Sequence, residues 1–396
     1  DNATVSYRVT RKTYFPYRWW YWWSYPTLGS ETVMTYGTTA TDADGKYNIE
    51  FEAKPDLNID AKFSPAFTYS ISADVTDING ETRSALTSMN VGYKTLVLGT
   101  NWYGNINISE TDNIEISSKN LNGNDVNATG QITIYKLTQP AKIYQSRNWS
   151  LPDVYKMSET EFNKLFPQFP YKNEENPVNW QKSKKVFESD FNSKVSKKIN
   201  ITDIKEWEQG YYYVEITSKD NFGEDVKYQD YIVLYNPVST KMPYTANGWF
   251  SSIKNTCEPG ETAKFLIGSS ETNSKILYEI EHKGKIVKSE WLILNNEQKL
   301  IEIPVTEEQR GNFSVHFTSV RNNRSNNYYD IVTVPFTNKE LDISFESFRN
   351  KLYPGEQEEW KILEKGKKGD KVAAEMVATL NDASLDAFRP QNWSLS

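Results

Sequence analysis

Apolar and polar residues alternate with a period of two along most of this chain, in short runs closed by turn residues. Thr4-Val-Ser-Tyr-Arg-Val-Thr10 and Lys46-Tyr-Asn-Ile-Glu-Phe51 predict half-buried strands, the second following the turn Asp42-Ala-Asp-Gly45. Residues 67–74 and 83–93 predict a further pair around Asp77-Ile-Asn-Gly-Glu81, where Gly80 can supply the positive φ of a tight turn. These strands define a first sandwich over 1–96, with 96–99 as its linker. The same ending recurs at an offset of 143 residues: a strand over 211–217, the turn Asp220-Asn-Phe-Gly-Glu224, and a strand over 227–234. Further strands are expected near Phe265 and over 277–282, 290–294, 313–318 and 329–334.

A second repeat sets the unit length. Ser252-Ile-Lys-Asn-Thr-Cys-Glu-Pro-Gly-Glu261 and Ser347-Phe-Arg-Asn-Lys-Leu-Tyr-Pro-Gly-Glu356 share one pattern at an offset of 95 residues, the length of one small β-sandwich. The longer offset of 143 therefore implies an insertion in the second unit. Alternation fades between about 144 and 196, placing the insertion near 145–195. Within it Ser158-Glu-Thr-Glu161 makes a capping box for a short helix through Phe166, stopped by Pro167. The expected fold is all-β, a tandem array of immunoglobulin/fibronectin-like β-sandwiches with a short, partly helical insertion in the second. Its units are 1–96, 97–240, 241–339 and the first part of another at 340–396, so the chain is expected to be a piece of a longer array.

Composition supports this pattern: 14% of residues are aromatic, with 25 Tyr and 12 Trp, and only 38% are hydrophobic, as in strands with one wet face. The net charge of -7 is mixed along the chain and argues against a nucleic-acid partner, which would need basic surface. Six lysines between Lys182 and Lys198 are interleaved with Glu188 and Asp190, the pattern of a solvated face. No apolar run is long enough for a membrane helix, and the N-terminus has no charged segment followed by an apolar one, so Asp1 is expected to follow residues removed or omitted.

Candidate chemistry is sparse. The chain has two histidines, His282 and His316, each expected in an alternating strand as a core or face residue, so neither a histidine-rich metal site nor a Ser-His-Asp triad has enough parts. Asp42-x-Asp44-Gly45 lacks the distal Glu of a calcium loop and predicts a hairpin turn instead. No cofactor is expected. Cys257 is the only cysteine, so no intrachain disulfide can form, and its alignment with Leu352 predicts a buried apolar strand position. In Tyr14-Phe-Pro-Tyr-Arg-Trp-Trp-Tyr-Trp-Trp-Ser-Tyr25, the cluster Trp19, Trp20, Trp22 and Trp23 falls in the first hairpin. It is either a partner-binding loop, for sugar, a membrane interface or protein, or a loop folded back on a neighbouring domain or on the same sandwich. The packed alternative is preferred.

Lys371-Val-Ala-Ala-Glu-Met-Val-Ala-Thr-Leu-Asn-Asp-Ala-Ser-Leu-Asp-Ala-Phe388, followed by Pro390-Gln-Asn-Trp393, resembles the α2-macroglobulin family, in particular its large bacterial, Bacteroidetes-type members. In that family such a strand marks the macroglobulin-like domain that carries the protease bait region; the matching positions are Asp382, Ala383, Ser384 and Leu385. Pro354-Gly-Glu356 with Trp360-Lys-Ile362 is similar to that domain's opening strand pair, Val75-Thr-Asp-Ile-Asn-Gly-Glu-Thr82 to a family turn, and Met157-Ser-Glu-Thr-Glu-Phe162 to an insertion in bacterial relatives. The resemblance implies consecutive macroglobulin-like domains at the cell envelope, in the periplasm or at the cell surface. It also implies proteases as partners of the full-length protein, captured through an internal thioester once the bait is cut.

The thioester's Cys-x-Glu-Gln type motif is absent, and Cys257-Glu-Pro-Gly-Glu261 lacks the Gln and sits in the repeated turn, so no thioester is expected in this chain. The resemblance thus implies a non-catalytic shell segment of a protease trap, ending before or at the bait insertion, with any membrane attachment outside it. Two other readings are a cell-surface glycan-binding or adhesin array, suggested by the tryptophan cluster, and the accessory region of a glycan-active enzyme. The latter is disfavoured because spacing identifies no convergent acid pair.

Overall fold

The computed structural model describes residues 3–17, 31–347, 349, 353 and 355–366. Its first four strands, β1 (Thr4–Tyr14), β2 (Thr32–Ala40), β3 (Ala66–Thr76) and β4 (Thr82–Gly92), form one antiparallel sheet in the order β2-β1-β3-β4. Among the described residues no second sheet faces it. The strand expected over Lys46-Tyr-Asn-Ile-Glu-Phe51 is irregular chain instead. It covers the sheet with Ile49 and Phe51, which pack on Val9, Phe67 and Tyr69. Side chains rather than a ladder hold its end: the guanidinium of Arg11 donates to the carbonyls of Lys54 (2.8 Å) and Pro55 (2.7 Å), and Tyr69 Oη donates to Lys54 (2.7 Å). Alternation reported burial here but not backbone pairing.

The second unit is a complete sandwich. β5 (Leu96–Thr100), β7 (Asn113–Asn120) and β10 (Lys198–Asn200) form one sheet, in the order β10-β7-β5. The other runs β6-β12-β11-β8-β9 and contains β6 (Gly104–Asn107), β8 (Thr129–Thr138), β9 (Gln181–Asn192), β11 (Gly210–Lys219) and β12 (Asp225–Tyr235). The stretch expected as a linker, 96–99, is β5 itself, with Leu96 and Leu98 buried in the core beside Ile114, Ile132, Val214 and Ile232. The insertion is shorter than expected. Residues 181–192, where lysines obscure the period, form the twelve-residue edge strand β9 paired with β8, leaving 139–180 as the excursion. Exposed lysines suit such an edge, because they discourage further strand pairing. The helix α1 (Glu159–Leu165) forms as expected: Ser158 Oγ accepts from Glu161 N, and the Glu161 carboxylate reaches back to Ser158 N.

The third unit repeats this plan. Three strands, β13 (Trp249–Lys254), β14 (Thr262–Ser269) and β17 (Glu297–Pro304), form one sheet, in the order β13-β14-β17. Facing it is the order β16-β15-β18-β19, built from β15 (Ser274–His282), β16 (Lys285–Leu294), β18 (Gly311–Arg321) and β19 (Arg324–Val334). Between them lies a core that includes Phe265, Tyr278, Phe313 and Phe317. β13 and β17 carry no strong alternation and were not expected as strands. Last comes a ribbon of β20 (Leu341–Ser347) and β21 (Lys361–Gly366). No helix among the described residues is long and apolar enough to cross a membrane.

Candidate functional site

Among the described residues one turn is used four times, and its chemistry explains the repeat seen in the sequence. An Asx side chain at the first position accepts from the backbone N–H groups two and four residues on, and a glycine at the fourth position takes positive φ. Asp42 does this with Asp44 and Lys46, Asp77 with Asn79 and Glu81, Asn120 with Asn122 and Asn124, and Asp220 with Phe222 and Glu224. Gly45, Gly80, Gly123 and Gly223 have φ between 75 and 85°, a region in which a Cβ would be strained.

Two of these turns also form a joint. Asp220 Oδ2 accepts from Thr95 N (2.9 Å) and Thr95 Oγ1 (3.1 Å), tying the last turn of the second sandwich to the chain that enters it. The Asn120 turn presents Asn122 Oδ1 to Asn90 N (2.8 Å), and Asn90 Nδ2 donates to the Leu121 carbonyl (2.9 Å). Tyr17 Oη donates to the Leu96 carbonyl at 3.1 Å, and its ring packs on the second core. Burial works to raise the Asp220 pKa, but the N–H groups of Thr95, Phe222 and Glu224 and the Thr95 hydroxyl together hold it below the usual carboxylate value.

A denser joint connects the second and third sandwiches. Gln139 and Thr245 bond reciprocally: the Gln139 amide donates to the Thr245 carbonyl (2.7 Å) and accepts from its N–H (2.9 Å). Gln298, only 2% exposed, donates to the carbonyls of Asn236 (2.9 Å) and Ser239 (2.8 Å), and Gln209 spans the same connection through Asn236 N and the Lys241 carbonyl. Beside these bonds runs an aromatic seam, Trp180–Tyr211–Tyr244–Trp249–Tyr235, with successive ring centroids 4.8 to 5.5 Å apart. Single glutamines carry no periodic signal, so sequence pattern could not find this joint.

The candidate residues of the sequence are dispersed. Trp19, Trp20, Trp22 and Trp23, like Asp382, Ala383, Ser384 and Leu385, lie outside the described residues. Cys257 is 1% exposed in the third core, and burial pushes its thiol pKa up. His316 Nε2 lies 3.2 Å from Glu281 Oε2 on neighbouring strands, and His282 ends β15. Among the described residues no three metal-ligating side chains gather.

The 95-residue repeat is reproduced atom by atom. In the first copy Glu261 Oε2 accepts from Glu258 N (2.9 Å), Glu261 N donates to the Glu258 carbonyl (3.0 Å), Gly260 has φ 92°, and Lys254 pairs with Glu261 (3.0 Å). In the second, Glu356 Oε2 accepts from Tyr353 N (3.1 Å), Glu356 N donates to the Tyr353 carbonyl (3.0 Å), Gly355 has φ 81°, and Arg349 pairs with Glu356 (2.7 Å). The antiparallel ribbon β20–β21 therefore stands to the second copy as β13–β14 stands to the first.

Residues 249–379 match the family model of the alpha-2-macroglobulin bait region domain, a stretch that takes in the third sandwich and the ribbon. A search of curated proteins found no match. Among solved structures, the native conformation of Escherichia coli alpha-2-macroglobulin is 13% identical over 93% of this chain and 23% of its own, with a TM-score of 0.31. The trypsin-activated E. coli protein is 11% identical over 94% and 24%, with a TM-score of 0.38. Salmonella alpha-2-macroglobulin reacted with methylamine is 10% identical over 93% and 23%, with a TM-score of 0.29. The chain spans about a quarter of the length of these structures. Over residues 249–379 this chain is thus similar to the alpha-2-macroglobulin bait region domain.

Proposed function

We propose that this chain is a structural shell segment of an alpha-2-macroglobulin-like protease trap, made of macroglobulin-like domains at 1–96, 97–240 and 241–339, with 340–396 opening the bait-carrying domain. Endopeptidase inhibition belongs to the full-length protein, whose partners are proteases and whose place is the periplasm or cell surface. The segment itself is non-catalytic. The observation that carries this reading is the bait-region-domain match over residues 249–379. The joints support it in physical terms. A shell must keep its domains in fixed relation until a distant cleavage releases them, and a seam of five aromatic rings flanked by buried glutamine bonds resists bending where a flexible linker would not.

The test is a titration of trypsin with the purified chain, following hydrolysis of a large protein substrate and of a small amide substrate. Both rates are expected to stay unchanged at equimolar and excess chain. Stoichiometric loss of activity on the large substrate would show that these residues trap on their own and would sink the shell reading.

A further inference from the structure

Next to the joint between the second and third sandwiches, the insertion leans over the loops of the third and encloses a cleft of about 370 Å³. Tyr144, Gln145, Glu175 and Trp180 line it from the insertion, and Asn247 and Tyr328 from the other side. Three of these present buried oxygens with no hydrogen-bond partner: Gln145 Oε1, Glu175 Oε2 and Asn247 Oδ1. The Gln145 side chain belongs to a residue only 6% exposed. Buried polar atoms are nearly always answered by protein, water or ligand, so three orphans converging on one cleft leave room for a group that brings donors.

The chemistry of that ligand follows from the lining. All three orphan atoms are acceptors, which an anion's oxygens cannot satisfy. An organic cation is also disfavoured. Lys142 and Arg324 line the same cleft, and Arg147 and Glu174 lie near enough to act on Glu175, so a positive group would meet three like charges against two carboxylates. Burial pushes the Glu175 pKa up. A hydroxyl fits each orphan, because it donates; if either amide were turned end for end, the same hydroxyl would accept instead. Tyr144, Trp180 and Tyr328 add aromatic surface of the kind that stacks on the C–H faces of a sugar ring. Gly248 keeps that wall in place, since a Cβ there would fall 2.5 Å from Tyr328 Oη.

We propose that this cleft binds a neutral carbohydrate of one or two rings, held by Gln145, Glu175 and Asn247 against an aromatic wall. The volume suits it: small-ligand sites occupy roughly 300–1,000 Å³. The site is independent of the shell role, since it rests on the cleft's own atoms.

Isothermal titration of the chain with cellobiose, maltose, lactose and chitobiose tests this, with argininamide and inorganic phosphate as charged probes. At least one disaccharide is expected to bind saturably with a Kd of about 1 mM or tighter. Asn247→Ala and Gln145→Ala should each weaken that binding roughly tenfold or more. Asn247→Ala should leave the melting temperature unchanged, because it removes an unanswered acceptor, and this separates ligand contact from structural damage. Absence of saturable binding by every disaccharide would overturn the proposal. So would binding of argininamide or phosphate in their place, or disaccharide binding indifferent to Asn247→Ala.

Discussion

At the scale of single residues, Asp220 and Asp77 are a natural controlled pair. Both anchor the same turn through the same two backbone N–H groups, but only Asp220 also holds a partner outside the turn, Thr95, through its second oxygen. Asp220→Ala should therefore lower stability by about 2–3 kcal/mol, as buried N–H groups lose a charged acceptor, whereas Asp77→Ala should cost about 1 kcal/mol or less. Urea unfolding of the two variants measures the difference, and equal losses would mean that Thr95 contributes nothing. The pH dependence has a definite sign. The folded Asp220 pKa lies below its unfolded value, so its stabilisation is fully present above about pH 4 and is lost as pH falls through the folded value. Asp220→Asn should flatten that part of the stability profile.

Cys257 makes a second residue-level prediction. Buried at 1% exposure with its pKa raised, the thiol should react with a disulfide reagent such as DTNB only as fast as the third sandwich opens. Methylamine should release no new thiol from it. Rapid native-state labelling, faster than unfolding, would place Cys257 in a reactive site instead.

At the scale of elements, one connection is the variable part of the shared plan. In the third sandwich β15 and β16 are joined by the tight turn Lys283-Gly284, both at positive φ. The corresponding connection in the second, β8 to β9, carries the insertion with α1, and in the first, β1 to β2, it carries the tryptophan cluster. The insertion in the second extends from the end of its hairpin without disturbing the pairs at its base. The base itself is intolerant. A Cβ on Gly130, in β8, would lie 2.0 Å from the Thr217 carbonyl of β11 and 2.9 Å from the Phe191 ring of β9. Backbone cannot yield as a flexible side chain can, so Gly130→Ala should lower stability by about 2–3 kcal/mol in urea unfolding. A near-neutral result would mean that this edge of the sheet is loosely paired.

What the sequence revealed about elements follows the same physics. Strands with one wet face, such as β3, β11 and β18, were legible because burial and exposure alternate along them. Residues 46–51 alternate equally well yet form no strand, since alternation records which side chains are covered and not what pairs with the backbone. β9 failed in the opposite sense: it is a strand whose lysines are set by its edge position. The capping box was read correctly because all its hydrogen bonds lie within four consecutive residues. The joints were not legible at all, because Gln139, Gln209 and Gln298 act across 27 to 106 residues of sequence.

At the scale of the whole molecule, the shell reading depends on sandwiches that move together. Independent domains on flexible linkers, as a string of adhesive modules would have, open independently. The second and third sandwiches instead share the cluster of Val233, Tyr235, Trp249 and Leu266, with the aromatic seam and the buried Gln298 at its border. Hydrogen exchange read by mass spectrometry over a series of urea concentrations measures whether that border makes them one cooperative unit. Peptides from 210–235 and from 249–269 are expected to converge on a single opening free energy, and Gln298→Ala to separate them. Two distinct opening free energies in the unaltered chain would contradict the shell reading.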